Sequence, residues 1–196
     1  EFSNNINYAP NASVSVVRDA ASLKAFAEAA ATLAKEELFV ADVDMTGENW
    51  TSVEGFAGIF SGNGYSIKGL NAPLFGTTNA MLIEGVHLED VDIEISNVVH
   101  AGALVCWTQQ HSNSIIRNCS TSGKMVVTQD GSITENTYIG GAIGRHTSSD
   151  AISGVVNKVD IEVKGTYTPS VLLGGVAGSA AAADMVKCVN LGNIVF

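Results

Sequence analysis

Cys119-Ser120-Thr121-Ser122-Gly123-Lys124-Met125-Val126-Val127 returns later in the chain as Cys188-Val189-Asn190-Leu191-Gly192-Asn193-Ile194-Val195-Phe196. Both stretches place a Gly four residues after a Cys and an apolar residue two further on. Between them, Val155-Val156-Asn157-Lys158-Val159-Asp160-Ile161-Glu162-Val163 keeps the same apolar beat, with Val in place of both Cys and Gly. The copies stand 36 and 33 residues apart. A period of that size marks stacked units that bury a shared core only by lying on one another.

Working outward, four units each open on a small-residue strand: Pro73-Leu74-Phe75-Gly76, Gly102-Ala103-Leu104-Val105, Gly141-Ala142-Ile143-Gly144 and Gly175-Val176-Ala177-Gly178. Each is followed by a polar loop, a second short strand, a turn and a third strand. Taking Pro73, Gly102, Gly141 and Gly175 as equivalent gives uneven steps, absorbed in loops such as Gln129-Asp130-Gly131-Ser132. Kept strand spacing with varied loop length predicts an all-β chain, a right-handed parallel β-helix (β-solenoid). Upstream, Ser61-Gly62-Asn63-Gly64 is a turn between Ile59-Phe60 and Ser66-Ile67, since Gly and Asn tolerate positive φ.

The N-terminal part has a different period. Asp19 is a helix N-cap, and Leu23, Phe26, Ala30 and Leu33 follow at helical spacing, with Lys24, Glu28, Lys35 and Glu36 on the other face. This predicts a capping helix over 19–37, after an irregular lead-in over 1–18 and before β-helix repeats over 38–196, as one domain that is part of a longer chain. Phe39, Ala41, Val43 and Met45 then alternate with Val40, Asp42 and Asp44 as one strand, Thr46-Gly47 breaks it, and Trp50 starts a loop.

The totals exclude several classes. Of 196 residues, 46% are hydrophobic and 15% charged, and mean hydropathy is +0.22, which rules out a disordered chain. Net charge −10 and pI near 4.6 argue against nucleic acid as partner, because phosphate binding needs a basic surface. No apolar run approaches the roughly 20 residues of a spanning helix, so membrane insertion is not expected. Three Cys cannot form a complete disulfide framework. Cys119 and Cys188 lie two units apart, near 10 Å at about 4.8 Å per step, beyond bridging range.

These motifs resemble the GLUG repeat of bacterial secreted and cell-surface proteins. Gly141-Ala142-Ile143-Gly144, Asn118-Cys119-x3-Gly123 and Cys188-x3-Gly192 carry the likeness. Asp42-Val43-Asp44-Met45 and the stretch from Phe60 to Leu70 resemble the segments that often precede such repeats. Ser61, Val105 and Val159 depart from the pattern. The resemblance implies an extracellular or cell-surface, adhesin-like structural module with no shared catalytic residues.

No motif for a reaction stands out. None of His87, His100, His111 and His146 is spaced from another as metal ligands are, and His111 and His146 read as solvated loop residues. The carboxylates Asp90, Asp92, Glu94, Asp160 and Glu162 alternate with apolar residues and point outward. Aligned unit on unit, they give a surface acid/base ladder of Asp92, Lys124, Asp160 and Asn193, in which Lys124 separates acids that a catalytic pair or a calcium site would want adjacent. Asp42 and Asp44 are a second calcium candidate, and no other cofactor is expected. Trp50, Trp107 and Tyr138 lie near strand ends, where they either stack on sugars or plug the core.

The function expected is therefore a non-enzymatic extracellular repeat module, serving as stalk or as an adhesive or ligand-binding surface for carbohydrate or a host or bacterial protein. The alternatives are a polysaccharide-active lyase or glycosidase and a self-assembling structural subunit. The apolar C-terminal strand is expected to contact further repeats or another chain.

Overall fold

The computed structural model describes residues 14–29, 36–109, 114–168, 170–181 and 183–196. The chain runs through β1 (Val14–Val17), α1 (Ala20–Ala29), β2 (Glu36–Phe39), β3 (Val43–Asp44), β4 (Ile59–Ser61) and β5 (Ser66–Lys68). Sets of strands follow: β6 (Phe75–Thr78), β7 (Leu82–Glu84) and β8 (His87–Ser96); then β9 (His100–Ala101), β10 (Val105–Thr108), β11 (Ile115–Arg117) and β12 (Ser120–Asp130). The next set is β13 (Thr137–Gly140), β14 (Ile143–His146), β15 (Ile152–Ser153) and β16 (Val156–Thr166). The last is β17 (Val171–Gly174), β18 (Ala177–Ala180), β19 (Met185–Val186), β20 (Val189–Asn190) and β21 (Ile194–Val195).

The strands form four sheets, ordered β1-β2-β4-β7-β11-β15-β19, β6-β10-β14-β18, β3-β5-β8-β12-β16-β20 with β21 also on β16, and β9-β13-β17. Every pairing is parallel, and each set visits the sheets in the same cyclic order. Among the described residues the protein is thus mostly β, built from parallel sheets with one short helix. Parallel sheets bury both their ends and faces poorly unless their strands carry apolar residues, and here the long strands supply them. Leu88, Val91 and Ile93 of β8, Met125 and Val127 of β12, and Val159 and Ile161 of β16 are all buried.

The register places equivalent residues in line. Ile93, Met125, Ile161 and Ile194 are successive partners, as are Asp92, Lys124 and Asp160. Cys119 and Val155 are buried, Cys188 is half-buried, and all three cysteines are free thiols. One irregularity lies opposite Thr121–Gly123, where β8 has an extra residue and Asp90 takes φ 49°. That bulge turns Asp90 toward Lys68, 3.3 Å away. Crossings from the first sheet to the third turn on left-handed residues, Gly85, Asn118, Gly154 and Lys187. Gly and Asn adopt this backbone at little cost, whereas Lys187 costs about 1 kcal/mol.

A polar ladder crosses the long-strand sheet from buried Thr121 and Asn157 to exposed Asn190. The Thr121 hydroxyl donates to Asn157 Oδ1 at 2.7 Å, and Asn157 Nδ2 donates to Asn190 Oδ1 at 2.7 Å. The Val159 amide donates to Asn157 Oδ1 at 3.1 Å, so a fully buried amide is satisfied on both ends.

Several expectations are corrected. The lead-in over 1–18 contains β1, which pairs with β2, so the β structure begins at Val14 instead of residue 38. Glu36 and Glu37 belong to β2, so the helix does not extend over 19–37; Ala30, Leu33 and Lys35 lie outside the described residues. The alternation from Phe39 to Met45 is split between two sheets by a corner at 40–42, because β2 pairs with β4 whereas β3 pairs with β5. In the second set the position equivalent to Pro73 and Gly141 is Ala103, not Gly102, since Val105 pairs with Phe75 and Ile143. Cys106 therefore stands where the other sets have Gly76, Gly144 and Gly178. The N-cap holds: Asp19 accepts from the Ser22 amide at 2.8 Å, and the Ser22 hydroxyl bond, then this amide bond, lower its carboxyl pKa. Leu23 and Phe26 are the buried residues of α1, and Phe26 packs among Phe56, Phe60 and Phe75.

Candidate functional site

The small-residue openings bring two sheets close enough to make a seam. β13 lies against β14 and β18 with backbone facing backbone. A Cβ at Gly144 would sit 2.4 Å from Cys106 O and 2.8 Å from Ala101 N. A Cβ at Gly140 would sit 2.1 Å from Ile143 O. With no side chains between them, the large side chains flanking these glycines converge along the seam's length. His100 of β9 and Tyr138 of β13 are register partners, and Trp107 of β10 and Arg145 of β14 are partners in the neighbouring sheet.

The four form one continuous stack. The Trp107 and His100 rings lie 4.8 Å apart at 17°, and the His100 and Tyr138 rings 5.4 Å apart at 14°. The Arg145 guanidinium covers the Tyr138 ring at 4.5 Å, a cation–π geometry. All four are half-buried. Burial, then the Arg145 charge, pushes the His100 pKa down to about 4, so its imidazole is neutral at pH 7. Three nitrogens of this stack, His100 Nε2, Trp107 Nε1 and Arg145 Nε, are buried without a hydrogen-bond partner. Arg145 also makes no ion pair among the described residues.

Of the aromatics singled out in the sequence, Trp107 and Tyr138 are thus brought together. Trp50 is not. It is 6% exposed and its indole N–H donates to Pro73 O at 3.0 Å, which makes it a core residue far from sugar contact. His146 is corrected as well: it ends β14 and is fully buried, its Nδ1 2.7 Å from the Thr108 hydroxyl and its Nε2 3.2 Å from Asp150 O. His111 lies outside the described residues. His100 and Arg145 were not picked out from the sequence. The signal was present in unit alignment, since His100 precedes Ala101 as Tyr138 precedes Ile139, and Arg145 is the counterpart of Trp107.

The acid/base ladder lies on another flank. Lys124 is flanked in register by Asp92 and Asp160 yet makes no ion pair among the described residues. Asp160 accepts from both the amide and the Nδ2 of Asn193, at 2.8 and 2.9 Å. Asp92 lines an open cleft of about 520 Å³ with Glu48, Lys68, Asn71 and Asp90. Of its acids, Asp90 pairs with Lys68 and Glu48 with Lys24. Two other carboxylates singled out in the sequence are engaged: Asp42 accepts from the Ser66 amide and Asp44 from the Thr46 amide, at 2.8 and 2.9 Å. Among the described residues no group of three or more His, Cys, Asp or Glu side chains is arranged to hold a metal ion. The buried thiols of Cys106 and Cys119 are pushed up to about 12, chiefly by burial, so neither is a nucleophile near neutral pH. No described helix is long and apolar enough to cross a membrane. Comparison with protein families, with curated proteins and with solved structures finds no match.

Proposed function

We propose that the chain winds as a right-handed parallel β-helix of GLUG-like repeats and serves as a non-enzymatic, extracellular or cell-surface module of a bacterial protein. In this reading one flank contacts carbohydrate, and the contact surface is the seam of Trp107, His100, Tyr138 and Arg145. The cyclic passage of parallel strands through the sheets supports the winding. The single observation that carries the binding role is the outer stack of three aromatic rings closed by an unpaired guanidinium. Half-buried aromatic rings offer large contact area at little entropic cost, and a pyranose presents C–H groups to match. Stability alone does not call for such a stack, because it leaves polar nitrogens buried and unpaired. The exposed apolar residues Val189, Leu191, Ile194 and Val195 are the edge this reading assigns to further repeats or another chain.

The test is binding of an immobilised panel of bacterial and host glycans to the wild type, Trp107→Ala and Tyr138→Ala. Loss of binding in both variants, with unchanged melting and no release of reducing ends in the wild type, supports the module. Turnover that disappears in Asp92→Asn or Asp160→Asn overturns it in favour of an enzyme.

A further inference from the structure

We propose that the seam selects a sugar bearing a carboxylate, such as a uronic acid, which Arg145 holds while the rings stack on the pyranose. This rests on the reading of the seam as a carbohydrate surface and names the class of sugar. The chain has twice as many acidic as basic residues, 20 against 10, so a half-buried Arg without an acidic partner stands out. Of the other described basic residues, Lys24, Lys68, Arg117 and Lys164 each pair with a carboxylate, and the unpaired Arg18, Lys124, Lys158 and Lys187 are exposed to solvent, as Arg145 is not. Arg145 has only the Tyr138 face, which leaves its in-plane N–H groups unused. Nε is one of the unpartnered nitrogens but is buried, so the groups left to receive a carboxylate through two parallel bonds are the terminal Nη–H groups, which are not buried.

The two other unpartnered nitrogens belong to the same stack, Trp107 Nε1 and His100 Nε2. An indole N–H is a donor only, and a buried donor without an acceptor costs about 1–3 kcal/mol. A sugar that brings oxygen acceptors to the seam recovers that cost once the rings turn slightly outward. Glu54, an acid beside β6 of the same sheet, is already held: its carboxylate accepts from the Thr77 amide at 2.7 Å and lies against Gly76, on the far side of Trp107 from Arg145. Donors, a planar cation and flat apolar faces together match a uronate ring better than a neutral hexose.

The experiment is titration with trigalacturonate and with the neutral galactotriose, read by calorimetry and by the indole N–H resonances in ¹⁵N-labelled protein. The expected result is at least about tenfold tighter binding of the acidic trisaccharide and a downfield shift of the Trp107 indole N–H. Arg145→Gln should erase the preference, so that both sugars bind alike, and Arg145→Lys should restore part of it. Trp107→Phe should weaken both sugars together. Equal affinity of the wild type for both sugars, or a preference that survives Arg145→Gln, overturns the carboxylate assignment and leaves the carbohydrate surface standing. Absence of binding by either sugar with an unmoved indole signal overturns both.

Discussion

Replacing Phe26 with Ala tests whether α1 belongs to the core or rests on it. The Phe26 side chain is 4% exposed, and its ring meets Phe60 at 5.2 Å, Phe56 at 5.4 Å and Phe75 at 6.5 Å. Removing a fully buried Phe costs about 3–5 kcal/mol, the sum of lost transfer energy and the cavity left behind. The ring contacts push toward the upper end, since edge-on aromatic pairs, here those with Phe56 and Phe75, add about 0.5–1.5 kcal/mol each beyond burial. The helix pushes the other way: its buried residues are Leu23 and Phe26, so it can shift to close the void. A net loss of about 4 kcal/mol follows. With a urea slope of about 3 kcal/mol per molar, the midpoint should fall by a little over 1 M. The assay is urea unfolding followed by far-UV circular dichroism and tryptophan emission, with Lys24→Ala as the control. Lys24 pairs with Glu48 at an exposed site, so that control should move stability by no more than about 1 kcal/mol. A Phe26→Ala midpoint within 0.2 M or so of wild type would refute the packing argument, because no fully buried ring can be removed so cheaply.

Three further outcomes are expected. Gly144→Ala should destabilise by several kcal/mol or prevent folding, since its Cβ would meet the backbone of Cys106 and Ala101 at under 3 Å; wild-type stability in this variant would show that the sheets can separate at the seam. Asn157→Leu should cost about 2–4 kcal/mol by stranding the Thr121 hydroxyl and the Val159 amide, and a thermal melt with unchanged midpoint would deny the ladder any role. Stability should also decline with acid through the histidines. Burial holds both His146 and His100 below the ordinary value of 6.5, His100 at about 4, so the unfolded chain takes up protons first as pH drops. Their contribution is complete above pH 6.5 and is lost on the way down to about 4, with Glu36, raised by burial, giving a smaller opposite trend near 4.5. Urea midpoints between pH 7 and 4.5 for wild type and for His100→Phe with His146→Gln check this; an equal slope in both would place the acid sensitivity elsewhere.

Much of the long-strand sheet was legible in the sequence, and for a local reason. In a parallel ladder, residues at equal phase on successive strands share one face, so the spacing of Cys119, Val155 and Cys188 carried the register of Met125 with Ile161 and of Lys124 with Asp160 without knowledge of the loops. Asp19 was legible as a cap because its partner, Ser22, lies within the same turn. The candidate site was legible only by half. Trp107 and Tyr138 could be named, but a lone aromatic near a strand end has the same sequence signature whether it lines a surface, as these do, or plugs a core, as Trp50 does.

What the tertiary structure decided was everything that depends on which surfaces meet. β1 has no period to distinguish it from a loop and exists because β2 offers a parallel edge. His146 reads as polar and solvated until Thr108, from the strand beneath, supplies a buried partner for its ring. The Gly-Ala-x-Gly openings read only as small-residue strands, yet their role is to let two sheets touch backbone to backbone. That contact gathers His100, Trp107, Tyr138 and Arg145 into one stack from positions 100 to 145. Periodicity encodes which side of its own strand a residue occupies; the distance between two sheets is set by the packing of both, and no single strand carries it.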